Sequence, residues 1–271
     1  MIIFPSCKIN IGLQVLSRRK DGYHNLSSIF YPLPLTDVLE IVSAKEPSFH
    51  PTGIPIPGKP EDNLCEKAWH ILKENFADLP PVAIHLHKHI PIGAGLGGGS
   101  SNGANMLLLL NKKYKLNLTP DQLKKYASRL GSDCAFFTQP HPCFVTGRGD
   151  ELFPFTLEIL HKYHFVLVCP DVHIDTAWAY SQIVPKIPSR SLLDLVREPV
   201  ETWKDNVIND FESPVLAAYP LLREIKNTLY KAGALYASMS GSGSSIFGIF
   251  EKEVQKGTLH FNDASVFIFK Q

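Results

Sequence analysis

The sequence predicts an α+β fold, and three observations carry that prediction. Strictly alternating apolar segments and segments with helical apolar spacing both occur along the 271 residues. They do not follow one another in a regular βαβ order, so a single parallel sheet is not indicated. No apolar run approaches the length that spans a bilayer, and no internal repeat or low-complexity tract interrupts the chain.

The elements are justified in order. Ile9, Ile11, Leu13 and Val15 alternate with Lys8, Asn10, Gly12 and Gln14, which predicts a half-buried strand over 8–15. Asp21-Gly22 is a hairpin turn signal, and strands follow over 24–31 and 37–42. The Pro- and Gly-rich stretch 47–60 predicts a loop without regular structure. Residues 63–76 have helical spacing and 82–90 alternate again. Residues 102–114, with Met106 and four consecutive leucines, predict a helix buried on most sides.

Thr119-Pro120-Asp121-Gln122 predicts a capped helix running to Leu130, with Gly131 as a left-handed C-cap. The loop Gly147-Arg148-Gly149-Asp150 suggests a division into domains 1–150 and 151–271. Beyond it, strands are expected over 164–169, 235–239, 245–250 and 265–269, and helices over 176–183, 191–196 and 219–232.

Composition bounds the function. Net charge is +1, so no global field recruits nucleic acid or an anionic membrane, and neither is expected as a partner. An acidic substrate must therefore be held by local groups. Five scattered cysteines, Cys7, Cys65, Cys134, Cys143 and Cys169, contain no C-x-x-C pair and suit a reducing, cytoplasmic location. The first residues lack the basic region of a signal peptide.

The most informative segment is Pro91-Ile92-Gly93-Ala94-Gly95-Leu96-Gly97-Gly98-Gly99-Ser100-Ser101, directly ahead of the buried helix. Five glycines are entropically costly and add no packing. They suit a backbone that passes close to an anionic ligand at a helix start. The segment also satisfies G-x-G-x-x-G from Gly93 to Gly98. A dinucleotide fold would need a strand after the following helix, whereas the sequence there predicts the helix 119–130. A Walker loop would need Lys-Ser or Lys-Thr at its close, and neither is present. A ligand-free turn is the minor alternative, because three glycines in a row ahead of a strong helix are a costly way to build a turn.

A second Gly/Ser segment, Ser238 to Ser245, is either a hairpin loop or the other half of a phosphate nest. Lys8 and Asn10 belong either to a solvated strand face or to a site. Asp133, in Gly131-Ser132-Asp133, reads equally as a helix cap or as a carboxylate base. His85, His87 and His89 share one strand face, which is better read as solvated than as a metal site. His24, beside Tyr23 in a polar turn, is a better candidate for ligand contact. Phe30 and Tyr180 are core residues or stacking platforms, and periodicity does not decide between them.

These segments resemble the GHMP kinase superfamily of small-molecule kinases. Its central signature is matched by Pro91 to Ser101 and its third motif by Met239 to Ser245. Cys7-Lys8-Ile9-Asn10 with Arg19-Lys20-Asp21-Gly22-Tyr23-His24, then Gly131-Ser132-Asp133 and Asn209-Asp210-Phe211-Glu212, extend the match over nearly the whole chain. Asp-Gly-Tyr-His after Lys-x-Asn is the most specific part.

The resemblance implies a two-domain architecture, with an N-terminal domain like ribosomal protein S5 domain 2 and a ferredoxin-like C-terminal domain. It implies transfer of the γ-phosphoryl of ATP, with Mg²⁺, to the 2-hydroxyl of a cytidine diphosphate-linked methylerythritol in non-mevalonate isoprenoid synthesis. It further implies that Lys8 and Asp133 are the catalytic pair. Pro91 to Ser101 would hold the phosphates, and Asn63 and Leu64 would approach the adenine. Asn10, Tyr23, His24, Phe30 and Tyr180 would line the substrate side. The chain departs from the pattern at Cys7, where Ala is usual, at Ser242, where Thr is common, and at Tyr180, where Phe is common. The alternatives are another kinase of the superfamily, of homoserine or mevalonate type, and a nicotinamide oxidoreductase. A monomer or weak homodimer is expected.

Overall fold

The computed structural model describes residues 1–255 and 257–270. In chain order the strands and helices are β1 (Ile2–Ile3), β2 (Ser6–Arg18), β3 (His24–Thr36), β4 (Val38–Ser43), β5 (Ser48–Gly53), α1 (Leu64–Lys73), β6 (Val82–Lys88), α2 (Gly98–Tyr114) and α3 (Pro120–Leu130). They continue with β7 (Cys143–Thr146), β8 (Glu151–Pro154), β9 (His164–Pro170), α4 (Thr176–Ser181), α5 (Leu192–Leu195), α6 (Trp203–Asn206), α7 (Glu212–Ala218), α8 (Pro220–Lys231), β10 (Tyr236–Met239), β11 (Ile246–Phe250) and β12 (Ala264–Lys270). The α+β expectation holds.

Packing separates the chain into two compact units that are interleaved in sequence. The first holds Met1–Lys8, Pro34–Ile92 and Gly97–His141; the second holds Ile9–Leu33, Gly93–Leu96 and the chain from Pro142 onward. A single cut near residue 150 does not reproduce these units, because the long strands β2 and β3 each run through both.

In the first unit a sheet is ordered β1-β4-β6-β5. β4 and β6 are antiparallel, with Ile41 opposite Ile84 and Leu39 opposite Leu86. β5 was expected to be loop, yet it pairs parallel with β6. Pro51 is tolerated there because β5 is an edge strand, where a missing N–H breaks no second ladder. Helix α2 begins at Gly98, four residues before the apolar spacing that announces it. It is buried on most sides, as Met106, Leu107, Leu109 and Leu110 require. Helix α3 has the expected capping box between Thr119 and Gln122. Gly131 is not left-handed: its backbone is extended, and a short 3₁₀ helix, Ser132–Thr138, starts immediately after it.

In the second unit the order β10-β11-β9-β12 places β11 between β9 and β10 and antiparallel to both. That is the split βαβ arrangement of a ferredoxin-like sheet. Among the described residues no helix joins β11 to β12, which departs from the full pattern. Val166, Val168, Ala237 and Met239 from the sheet pack with Phe211, Val215, Ile225 and Leu229 from the helical side. A further sheet is ordered β2-β3-β7-β8. β2 is buried on both faces from Cys7 to Val15, not on one. Asn10 on it is satisfied internally: it donates to Ser28, and Ser28 donates to the Gly12 carbonyl.

Candidate active site

In the first unit, Lys8 and Asp133 form an ion pair, with Nζ 3.5 Å from Oδ2. The Lys8 side chain is 5% exposed and that of Asp133 is 32% exposed. Asp133 lies in the first turn of the 3₁₀ helix and is not its N-cap, since Gly131 takes that position. Gly97 binds this pair to the glycine segment. It is the N-cap of α2, with φ +68°, and a Cβ there would stand 2.9 Å from Phe137 and 3.3 Å from Cε of Lys8. Only glycine gives both the left-handed backbone and the room.

The first helical residues of α2 differ in why they are glycine. A Cβ on Gly98 would meet Nζ of Lys88 and Ile90, each at 2.9 Å. A Cβ on Gly99 would meet nothing within 4 Å, and its φ is not left-handed. Among the described residues, no neighbour and no left-handed backbone accounts for glycine at 99. Ser100 bonds the Cys134 thiol, whose pKa burial pushes up to about 12. Ser101 is fully buried, and its oxygens receive the Asn105 amide. Asn63 caps α1 through the Cys65 N–H at 2.9 Å. Leu64 lies against α2, where a Cβ on Gly103 would stand 2.8 Å from that of Leu64.

Beneath this helix start lies a network that sequence reasoning missed. Asp37 has no exposed surface and accepts from the Lys88 ammonium, from Asn102 at 2.8 Å, and from the N–H groups of His89 and Ile90 at 2.7 and 2.8 Å. Burial pushes the Lys88 pKa down, against the opposing pull of Asp37. A signal was present: Lys88 falls in phase with Val82, Ile84 and Leu86 on the buried face of β6. A lysine in that phase must have a partner.

In the second unit the two Gly/Ser segments interlock. Gly95 has φ +76°, and a Cβ there would stand 2.0 Å from the Ser240 carbonyl oxygen. Ser240 donates to the Gly95 carbonyl at 2.8 Å, and the Ser245 N–H donates to Ala94 at 3.2 Å. Ser240 also accepts from the Asn10 N–H at 3.2 Å. Asn209 fastens the same turn by donating to Met239 and Gly241. Gly93, with φ +68°, stands beside the His173 ring. Pro91 is half-buried, Ile92 is 38% exposed and Leu96 is buried.

The aromatic candidates also fall in the second unit. His24 stacks on Tyr180 with centroids 4.8 Å apart and planes 17° from parallel, and Tyr180 meets Phe211 edge-on at 4.8 Å. Desolvation first, then Arg18, pushes the His24 pKa down. Tyr23 is 54% exposed, with the Arg148 guanidinium 4.9 Å from its ring centre. Phe30 is different: it is 3% exposed, on a strand position paired with Cys143, so its ring is part of the interior. Asn10, too, is fully enclosed. His85, His87 and His89 are exposed on the first unit's sheet, with His85 stacked on His50 and His87 bonded to Thr52.

The sheets, the glycine-started helix and the Lys–Asp pair define a GHMP kinase. Residues 63–141 match the family model described as GHMP kinases N terminal domain, and residues 192–259 match GHMP kinases C terminal. The chain belongs to the 4-diphosphocytidyl-2-C-methyl-D-erythritol kinase family. A relative of that name from Bacteroides fragilis is 49% identical, with 98% of each chain covered. Another, from Parabacteroides distasonis, is 49% identical over 98% of this chain and 96% of its own. A crystal structure of 4-(cytidine 5'-diphospho)-2C-methyl-D-erythritol kinase is 30% identical with TM-score 0.75, covering 92% of this chain and 90% of that one. The mevalonate kinase of Methanococcus jannaschii, at 15% identity and TM-score 0.73 over 99% and 97%, shares the fold alone. The chain is thus a kinase that uses ATP and a small-molecule alcohol. The nicotinamide alternative falls with the family match.

Proposed function

We propose that the protein transfers the γ-phosphoryl group of ATP to the 2-hydroxyl of 4-diphosphocytidyl-2-C-methyl-D-erythritol, giving the 2-phosphate and ADP. The observation that carries the reading is the Lys8–Asp133 pair packed against Gly97 at the start of α2. A phosphate docked on a helix N-terminus meets free N–H groups and the positive end of the dipole. Asp133, a third exposed, accepts the hydroxyl proton as the oxygen attacks. Lys8 keeps Asp133 aligned and offsets charge on the transferring group.

The backbone from Pro91 to Ser101 holds the nucleotide phosphates. Gly99 supports this, since a glycine without an internal reason suits close approach by a ligand. Asn63 and Leu64, at the start of α1 beside α2, are assigned to the adenine end. Tyr23, His24 and Tyr180 are assigned to the cytosine, as exposed or stacked planar groups. Asn10 and Phe30, both buried, are also assigned to the substrate side.

Mg²⁺ fits as an ion carried on the nucleotide. Among the described residues no group of three or more His, Cys, Asp or Glu is placed to hold a metal. An ion on the nucleotide is held through phosphate oxygens and water, with Ser100 at the start of α2 as a protein oxygen. Bound there, it neutralises and orients the phosphates.

All five cysteines are buried, and among the described residues none is joined in a disulfide, which supports a cytoplasmic location. No helix among the described residues is long and apolar enough to cross a membrane. The division into domains 1–150 and 151–271 is kept as a proposal for the two family domains, and a monomer or weak homodimer as the proposed state.

A coupled ADP-release assay tests the function, with the cytidyl substrate, mevalonate and homoserine run in parallel. Turnover of the cytidyl substrate alone is expected. Turnover of either of the others without it overturns the reading.

A further inference from the structure

Arg148 has no role in the chemistry described so far, yet its geometry is fully determined. It sits in the turn between β7 and β8, where Gly147 and Gly149 take φ of +65° and +97°. The Gly147 carbonyl accepts from the Leu26 N–H at 2.9 Å, which fastens the turn to β3 two residues beyond His24. Asp150 then locks the arginine. Its Oδ1 accepts from the Arg148 N–H at 3.0 Å, and its Oδ2 accepts from Nε and Nη2 at 3.3 and 3.0 Å. The guanidinium, so held, lies over the ring of Tyr23 at 4.9 Å.

Stability does not explain this arrangement. The ion pair is a third exposed, 35% and 27%, and pairs of that kind contribute little. Tyr23 itself is 54% exposed. Its backbone is fixed, because Arg19 N–H donates to the Tyr23 carbonyl at 2.8 Å and the Tyr23 N–H donates to Asp21 at 3.2 Å. Its ring is a separate matter. A half-exposed tyrosine ring needs a packed neighbour to select one orientation, and Arg148 supplies it.

We infer that Arg148 is a positioning residue for the nucleobase side of the substrate site, acting by holding the Tyr23 ring in the orientation that receives the cytosine. The inference rests on the functional reading given above. Pre-ordering the ring removes part of the cost of binding, so the effect falls on substrate affinity and not on phosphoryl transfer. A planar guanidinium does this better than an ammonium, because it can lie flat on the ring while forking onto Asp150.

The test is a double-mutant cycle read by calorimetric binding of cytidine 5'-diphosphate and by steady-state kinetics. Arg148→Gln is expected to weaken cytidine diphosphate roughly three- to tenfold and to raise KM for the cytidyl substrate alike. kcat and KM for Mg-ATP should stay within about twofold. Arg148→Lys should fall between wild type and Arg148→Gln, and it carries the same cycle independently of how well the glutamine variant folds. In a Tyr23→Leu background either Arg148 substitution should add nothing further. An equal loss with and without Tyr23, or wild-type affinity in Arg148→Gln, overturns the inference. A wild-type protein that neither binds cytidine diphosphate nor turns over the cytidyl substrate overturns the functional reading itself, a separate and recognisable result.

Discussion

The Lys88 ammonium donates to Asp37 with both side chains out of water, 4% and 0% exposed, and Nζ lies against the first residue of α2. A buried pair of this kind is costly to break from one side, since the surviving charge is stranded. Asp37→Ala strands Lys88, two backbone N–H groups and Asn102 together. The expected loss is about 3–5 kcal/mol in urea unfolding. Replacing both partners, as Asp37→Asn with Lys88→Met, should recover a good part of it. A single variant within about 0.5 kcal/mol of wild type would show that the pair does not hold the helix start.

Asp133→Asn keeps the shape of the carboxylate and removes its basicity. kcat should fall by about 10²–10⁴-fold, the usual worth of a positioned general base. ATP affinity, followed by calorimetry, should change little, because the phosphates rest on the glycine backbone. Retained turnover with lost nucleotide binding would reverse the roles given to the two regions.

Gly99 and Gly95 make a contrast that stability and affinity can separate. Gly99→Ala meets open space within a helix and should raise stability by up to about 1 kcal/mol while weakening Mg-ATP. Gly95→Ala meets the Ser240 carbonyl at 2.0 Å with φ +76°, and should lose about 3 kcal/mol or more before any ligand is added. Thermal melts with and without nucleotide read both. A Gly99→Ala protein that binds ATP as well as wild type would remove the case for ligand approach at that residue.

Burial, then Arg18, holds the His24 pKa below its ordinary value of 6.5. The unfolded chain therefore takes up a proton before the folded one does. Stability from this group is complete above about pH 6.5 and is lost as the pH falls through the lower folded pKa. The folded ring should titrate with a midpoint below 6.5, so that at pH 6.5 more than half of it is neutral. A proton NMR titration of His24 with a midpoint above 6.5 would contradict this.

How much was legible beforehand follows from the range of each interaction. The capping box at Thr119 and the helix of four leucines depend on neighbours within a turn, so pattern reading reached them. β5 was lost because Pro51 reads as a breaker, and only its place at a sheet edge excuses it. The strands β7 and β8 are four residues each, too short to show a period. At the candidate site, Lys8 and Asp133 could be paired only by resemblance, since 8 and 133 say nothing of distance. Asp37 with Lys88 and Arg148 with Tyr23 carry no motif at all, and only the fold brings them together.

The interleaving of the two units has a consequence for how the chain is made. β2 emerges from the ribosome early, yet in the second unit Leu13 exchanges hydrogen bonds with Ile208 and Asp210, and the Asn10 N–H awaits a serine 230 residues downstream. The first unit is complete once His141 has been made, but the second draws on residues from Ile9 to the far end of the chain. Vectorial folding from the N-terminus is thereby closed to the second unit. The stretch of β2 from Ile9 onward must stay unaggregated until these partners are made, and the non-local closure that follows sets the pace of folding.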